Sequence, residues 1–180
     1  MLEILLNLMV DKHKSVQYAS CSALLYLQES TKVVLLPYYQ HLITAFAAAL
    51  QLYQVFYIFT FSHFLFYPDI HSGTQARNKE ILYDTLGYFA KSSVRYSSND
   101  DAKCKLAGVL FPLLVNHYNS FQDDDKTICV ASDCISDIIN SVNSHYVQPF
   151  SQDIFARALR IVDTSLINFA VCFFHFKLIS

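Results

Sequence analysis

The sequence predicts an all-α protein made of antiparallel helix pairs that stack into a solenoid. Three observations indicate this fold class. The 180 residues include only 3 Gly and 4 Pro, where average usage would give about a dozen and about nine, so few positions interrupt a helix. Apolar residues recur at helical spacing along most of the chain. The predicted helices also alternate between two kinds of start, one after a tight polar turn and one near a proline.

The first half of the chain is expected to hold one helix pair and the opening helix of the next pair. Residues 1–10 are apolar and end at a polar turn over 11–14, after which Ser15 stands where an N-cap is expected. The third helix follows Pro37, which suits a first turn. The inward residues of the second and third helices are Val16, Ala19, Ala23, Leu24 and Leu27, then Tyr39, Leu42, Ile43, Phe46, Leu50 and Tyr53.

The second half continues the pattern with four more helices. One covers 78–94, and the next follows the polar segment 97–101 and contains Pro112, which should kink it. Asp123–Asp125 places negative charge at the start of the sixth helix, and the last helix surrounds Pro149. The inward residues are Ile81, Leu82, Leu86 and Phe89; Leu106, Val109, Leu110, Leu113 and Leu114; Ala131, Cys134, Ile135, Ile138, Ile139 and Val142; and Ile154, Phe155, Ala158, Leu159 and Val162.

The spacing of the helices and one turn motif indicate HEAT repeats. The second helices of the pairs, termed B helices, begin near residues 15, 78 and 126, so they lie 63 and 48 residues apart. A HEAT repeat has a period of about 40–47 residues. The turn at Asp11 is followed by Val16, Gln17 and Ala19, which resembles the HEAT pattern. The sequence therefore predicts a partial array of a HEAT-repeat α-solenoid.

A longer resemblance covers 1–54 and 76 to about 167. It is carried, in order, by Val16–Ala23 (VQYASCSA), Leu36–Tyr38 (LPY), Asn78–Gly87 (NKEILYDTLG), Phe111–Leu114 (FPLL) and Asp123–Lys126 (DDDK). These segments resemble the middle of the transportin family, the karyopherin-β2 type of nuclear import receptor in the importin-β superfamily. The resemblance implies that the chain corresponds to an internal fragment of a much longer superhelix.

The resemblance also implies a function for the concave face built by the B helices. In this family that face binds extended proline-tyrosine nuclear localisation signals of cargo proteins, and its acids receive the basic part of the signal. The positions that match cargo contacts are Tyr18, Ala19, Glu29 and Asp84, although the family often has an acid at Tyr18 and an Asp at Lys91. Without the resemblance, Glu29 is interpreted as a solvated surface charge and Asp84 as an exposed or a buried helix residue.

The remaining implications concern partners and chemistry. The family binds a Ran-type GTPase through N-terminal repeats that the chain lacks, so the chain alone should not complete a transport cycle. Nucleoporins are further expected partners, and the expected location is both cytoplasm and nucleus. The sequence contains no catalytic motif, metal-ligand spacing or cofactor loop, so no enzyme activity is expected. A balance of 13 basic and 15 acidic residues argues against binding nucleic acid through bulk positive charge.

Residues 55–75 fit neither the repeat nor the resemblance. Phe and Tyr make up most of 56–67, and joining Gln54 to Ala76 would restore the HEAT period. We interpret 55–75 as an insertion, and a retained in-frame intron is one hypothesis for its origin; a functional insertion loop is another. The repeats then occupy 1–54 and 76–167, and 168–180 forms an atypical apolar tail.

The sequence is also compatible with two alternative functions. One is a HEAT-repeat scaffold for protein–protein interaction with no import role. The other is a small membrane protein, because residues 42–67 carry no Asp, Glu, Lys or Arg and are long enough to cross a bilayer. The five Cys have no CxxC spacing, and we expect reduced, mostly buried thiols.

Overall fold

The structure is a computed structural model that describes the backbone of residues 1–31, 35–63, 72–120 and 127–163. Within these ranges the chain is helical and contains no strand. The α-helices are α1 (Leu2–Leu8), α2 (Lys14–Thr31), α3 (Tyr39–His63), α4 (Ser72–Phe89), α5 (Asp100–Lys105), α6 (Phe111–Ser120), α7 (Thr127–Ile139), α8 (Ser144–Val147) and α9 (Ser151–Asp163).

The helices form two layers. In one layer α1 packs against α3, α3 against α5 and α6, and α6 against α9. In the other layer α4 lies between α2 and α7 and packs against both. Across the layers, α2 pairs with α1, α4 with α3, and α7 with α6. This arrangement confirms the predicted all-α solenoid of helix pairs, with α2, α4 and α7 as its B helices.

The core lies between the layers and follows the predicted stripes most closely in α3 and α7. Every predicted inward residue of α7 is buried, as is each one of α3 from Leu42 to Tyr53. Phe46 of α3 and Phe89 of α4 are both fully buried, with ring centroids 6.1 Å apart. Neighbouring pairs bury each other's apolar faces, and this burial holds the stack together.

The start of α2 differs from the prediction. Ser15 is not the N-cap, because α2 begins one residue earlier, at Lys14. Hydrogen bonds that involve Asp11 and His13, which precede α2, stabilise its first turn. The Asp11 side chain accepts a hydrogen bond from the backbone N–H of His13 at 2.8 Å. The carbonyl of His13 in turn accepts a hydrogen bond from the N–H of Gln17 at 3.1 Å.

The predicted disturbance at Pro112 takes the form of a π-helical segment, Leu106–Leu110, between α5 and α6. Proline cannot donate a backbone hydrogen bond and its ring crowds the preceding turn, and a wider π turn relieves both conflicts. The extra residue in the turn rotates the helix face. Val109, predicted to point inward, is consequently exposed, whereas Leu106 and Leu110 are buried.

The inward face of α9 is narrower than the sequence predicts. Ile154 and Ala158 are buried together with Arg157 and Ile161, but Phe155 and Leu159 are about half exposed. The apolar residues of α9 span more of the helix circumference than α6, its neighbour in the layer, can cover. The prediction that Phe155 and Leu159 point inward is therefore wrong.

Several predicted features lie partly or wholly outside the described residues. α3 continues as a helix to His63, although 56–67 shows no helical stripe in the sequence, and α4 begins at Ser72 rather than near Asn78. Residues 64–71, the run Asp123–Asp125 and the tail 168–180 are not described. Of the four cysteines that are described, Cys21 and Cys134 are buried, Cys129 is half-buried and Cys104 is exposed, and all four are free thiols.

Candidate functional site

An open groove lies where α2, α4 and α7 run side by side. Its volume is about 530 Å³. The floor contains Tyr83, Gly87 and Cys134. The polar residues of the walls, which define what is here termed the acidic groove, are Glu29, Asp84, Lys91, Asp133, Ser136 and Asp137. The groove thus brings together four carboxylates and one ammonium group.

Helical periodicity explains why these side chains meet. Asp84 lies on α4, and Lys91 follows seven residues later in a π-helical segment, Ala90–Val94, that continues α4 and contacts α7. Asp133 and Asp137 are one turn apart on α7 and lie beside the buried Cys134 stripe. Each B helix buries one face against the other layer and turns its polar side toward the groove. Three parallel polar faces therefore form one surface.

A glycine allows α4 and α7 to approach closely beneath the groove. A Cβ atom built on Gly87 would lie 3.1 Å from Asp137 Oδ2 and 3.4 Å from the Cα of Cys134. These distances are tight for a methyl group. The absence of a side chain at Gly87 therefore brings the α7 carboxylates near α4 and sets the width of the groove.

Mutual repulsion characterises the α2–α4 side of the groove. The pKa of the Asp84 carboxyl is raised, mainly because the neighbouring helices remove water from it. The negative charges of Glu80 and Glu29 raise the Asp84 pKa further. A cation that entered between these groups would relieve both the repulsion and the cost of desolvation.

The carboxylates on the α7 side also lose solvent, but they have positive neighbours as well as negative ones. Loss of solvent raises the pKa of Asp133, and the charges of Asp137 and Asp84 add to this shift. Desolvation also raises the pKa of Asp137. Lys91 opposes the shift at both carboxyls, and Arg95 opposes it at Asp137.

Tyr18 lies on the same layer but outside the acidic groove. It precedes Glu29 by eleven residues, about 16 Å along α2. Its hydroxyl accepts a hydrogen bond from Arg77 Nη2 at 3.3 Å, and the guanidinium carbon stands 4.4 Å from the ring centroid. This hydrogen bond is the main cause that lowers the pKa of the Tyr18 phenol. The neighbouring Ala19 is exposed on α2, as is Ala23, so the prediction that these two residues point inward is wrong.

The structure thus brings together two of the four residues singled out in the sequence. Glu29 and Asp84 share the acidic groove, whereas Tyr18 and Ala19 lie three turns away on α2. Asp133 and Asp137 were not among the residues predicted from the sequence to lie on this face. The signal in the sequence was the spacing of two acids one turn apart, next to the apolar stripe of α7.

Comparisons with known proteins give one consistent result, although no protein-family model matches the chain. "Transportin" of Dictyostelium discoideum is 28% identical over 162 residues, which is 90% of the chain. "Importin subunit beta-2" of Schizosaccharomyces pombe is 29% identical over 166 residues, and human "Transportin-1" is 27% identical over 162. The chain is homologous to transportin.

The similarity to transportin extends over nearly the whole chain but over a small part of each relative. The chain spans about 15% of the length of these transportins and importin beta-2 subunits, as the predicted resemblance to an internal fragment requires.

The sequence also left open a membrane span over 42–67. Within the described part of the chain, no helix has the length and apolarity needed to cross a membrane.

Proposed function

We propose that the chain is a HEAT-repeat segment of a transportin-type nuclear import receptor and that its acidic groove binds the basic part of cargo localisation signals. The similarity to transportins supports the receptor class. The observation that carries the binding site is the meeting of Glu29 and Asp84 in one open groove on the B helices.

Binding would rest on charge complementarity rather than on a closed pocket. An extended peptide laid across α2, α4 and α7 would place an Arg or Lys side chain between Glu29 and Asp84. Each exposed ion pair of this kind contributes about 0.2–1 kcal/mol, and salt weakens the interaction. Because desolvation and the neighbouring acids raise the pKa of Asp84 in the free protein, binding a cation there would lower this pKa.

The wider partners belong to the same proposal. Cargo proteins with basic proline-tyrosine signals are the proposed ligands, with Tyr18 and Ala19 contacting the signal beyond the groove. A Ran-type GTPase and nucleoporins would act on the longer receptor, and its location would be both cytoplasmic and nuclear. No catalytic role is proposed.

A direct binding measurement tests the proposed site. We expect a fluorescently labelled basic proline-tyrosine peptide to bind the full chain and to raise the fluorescence anisotropy. Glu29→Lys and Asp84→Lys should each weaken binding about tenfold or more, because each reverses a charge at the basic subsite. Affinity should also fall steeply between 50 and about 300 mM salt.

The matched control is Glu3→Lys, since Glu3 is exposed on α1 in the other layer. This variant makes the same charge change at a distance from the groove and should bind normally. Absence of binding, or binding that Glu29→Lys and Asp84→Lys leave unchanged, would contradict the proposal and favour a HEAT-repeat scaffold with no import role.

A further inference from the structure

The acidic groove has two unequal halves, and the difference has a consequence for its ligand. We propose that Lys91 is a specificity-determining residue that confines the basic subsite to the Glu29–Asp84 side. The preferred ligand is then an extended peptide with one basic side chain at that subsite and a neutral or acidic side chain over α7. This inference rests on the proposed function.

Lys91 lies inside the acidic groove. Lys91 is exposed and lines the groove, about 10 Å along the helix axis beyond Asp84, in the π-helical segment that continues α4. Its ammonium nitrogen lies 5.9 Å from the ring centroid of Tyr88, another residue of the groove. The positive charge is therefore inside the groove, on the segment that packs against α7.

The carboxylates in the two halves of the groove have different charged neighbours. Among the described residues, the charges that shift Asp84 are both negative, Glu80 and Glu29. The α7 carboxylates have a positive neighbour in Lys91, and Asp137 has Arg95 as well. One half of the groove therefore has uncompensated negative charge, and the other half is partly compensated by Lys91 and Arg95.

This division decides which peptides fit. A basic side chain between Glu29 and Asp84 gains attraction from two carboxylates. A second basic side chain over α7 would come close to Lys91 and Arg95, and like charges brought together at an interface are unfavourable. An acidic side chain at the same place would approach those two cations, which partly offset its repulsion from Asp133 and Asp137. Selection would thus come from repulsion as well as from attraction.

Two peptides of equal length test the assignment. Both carry one Arg for the Glu29–Asp84 subsite, and they differ in a second position, which is Lys in one peptide and Glu in the other. We expect the wild-type chain to prefer the Arg–Glu peptide. Lys91→Glu should shift the ratio of the two dissociation constants by about tenfold or more toward the Arg–Lys peptide, because the charge over α7 is reversed.

Controls separate this assignment from the proposed function. Lys103→Glu makes the same charge change on α5 in the other layer and should leave the ratio unchanged. Lys91→Gln, a milder variant whose folding can be checked by circular dichroism, should give an intermediate ratio. An unchanged ratio in Lys91→Glu overturns the assignment alone. If neither peptide binds the wild-type chain or any variant, both the proposed function and this assignment fail.

Discussion

His117 and Tyr83 form a polar pair inside the helical stack. His117 Nδ1 lies 2.9 Å from the Tyr83 hydroxyl, and the two rings meet edge to face. Both side chains are buried. Burial is the main cause that lowers the pKa of His117 to about 4, and the positive charge of Lys79 adds to it. The ring is therefore neutral in the folded protein at physiological pH.

This pair predicts a specific pH dependence of stability. An unfolded His has a pKa near 6.5, so the unfolded chain binds a proton more readily than the folded one. The contribution of His117 is complete above pH 6.5 and is lost as the pH falls toward 4, by about 3 kcal/mol at pH 4. Urea unfolding of the wild type and His117→Gln at pH 7 and pH 4 measures it.

The variant His117→Gln retains a polar side chain but has no titrating group in this range. We expect the wild-type free energy of unfolding to decrease between pH 7 and pH 4 by about 3 kcal/mol more than that of the variant. All other titrating groups are common to both proteins and cancel in the comparison. Equal decreases would show that His117 is protonated as easily in the folded state as in the unfolded state.

At the scale of the helices, a hydrogen-bonded junction ties α2, α3 and α4 together. Gln17 Oε1 accepts a hydrogen bond from the Tyr53 hydroxyl at 2.8 Å and a longer one from Asn78 Nδ2 at 3.4 Å. Asn78 Nδ2 also donates to the carbonyl of Lys14 at 2.7 Å. Tyr53 and Asn78, which flank the atypical stretch, thus converge on one side chain of α2.

The junction leads to a deletion experiment. Removing 55–75 joins Gln54 to Ala76 and retains all three residues of the junction. We expect the shortened chain to unfold cooperatively, with a thermal midpoint within about 5 °C of the full chain, because the contacts of the repeat layers are retained. Far-UV circular dichroism during heating measures this. Loss of the cooperative transition would show that 55–75 supports the fold.

Gln17→Ala provides the internal control for the deletion. The substitution leaves the buried Tyr53 hydroxyl and Asn78 amide without the Gln17 partner, which should cost about 1–3 kcal/mol. If the deletion preserves the junction, the loss should be the same in the full and the shortened chain. A loss confined to the full chain would show that the deletion had already broken the junction.

At the scale of the whole molecule, both ends of the stack present apolar side chains to solvent. Ile4 and Val10 are exposed at the α1 end, and Phe155 and Leu159 at the α9 end. A repeat array normally covers such end faces with capping repeats. Exposed apolar patches at both ends favour association of one molecule with another.

We therefore expect the chain to self-associate at tens of micromolar concentration. The double variant Phe155→Glu/Leu159→Glu should shift the equilibrium toward monomer, because it places charge on the α9 face. Val109→Glu, which makes a similar change at an exposed position between the ends, is the control and should have little effect. Sedimentation velocity over a range of concentrations measures the change. A wild-type chain that stays monomeric would contradict the expectation.

The sequence by itself determined the helical class, the pairing and most of the core. Low glycine and proline content and apolar stripes at helical spacing are local properties, and they predicted α3 and α7 well. The apolar stripes predicted burial less well in the helix that contains Pro112 and in α9. The π turn before Pro112 turned Val109 outward, and the limited contact of α9 left Phe155 and Leu159 exposed. Neither effect is visible in periodicity alone.

Only the tertiary structure decided which acids act together. Glu29, Asp84 and Asp133 are far apart in the chain, and each alone has the pattern of an ordinary solvated helix residue. The close packing of α4 and α7 at Gly87 brings their carboxylates into one groove and adds Lys91 among them. Electrostatic interactions depend on distance through space and on loss of solvent, and the packing of the three B helices sets both.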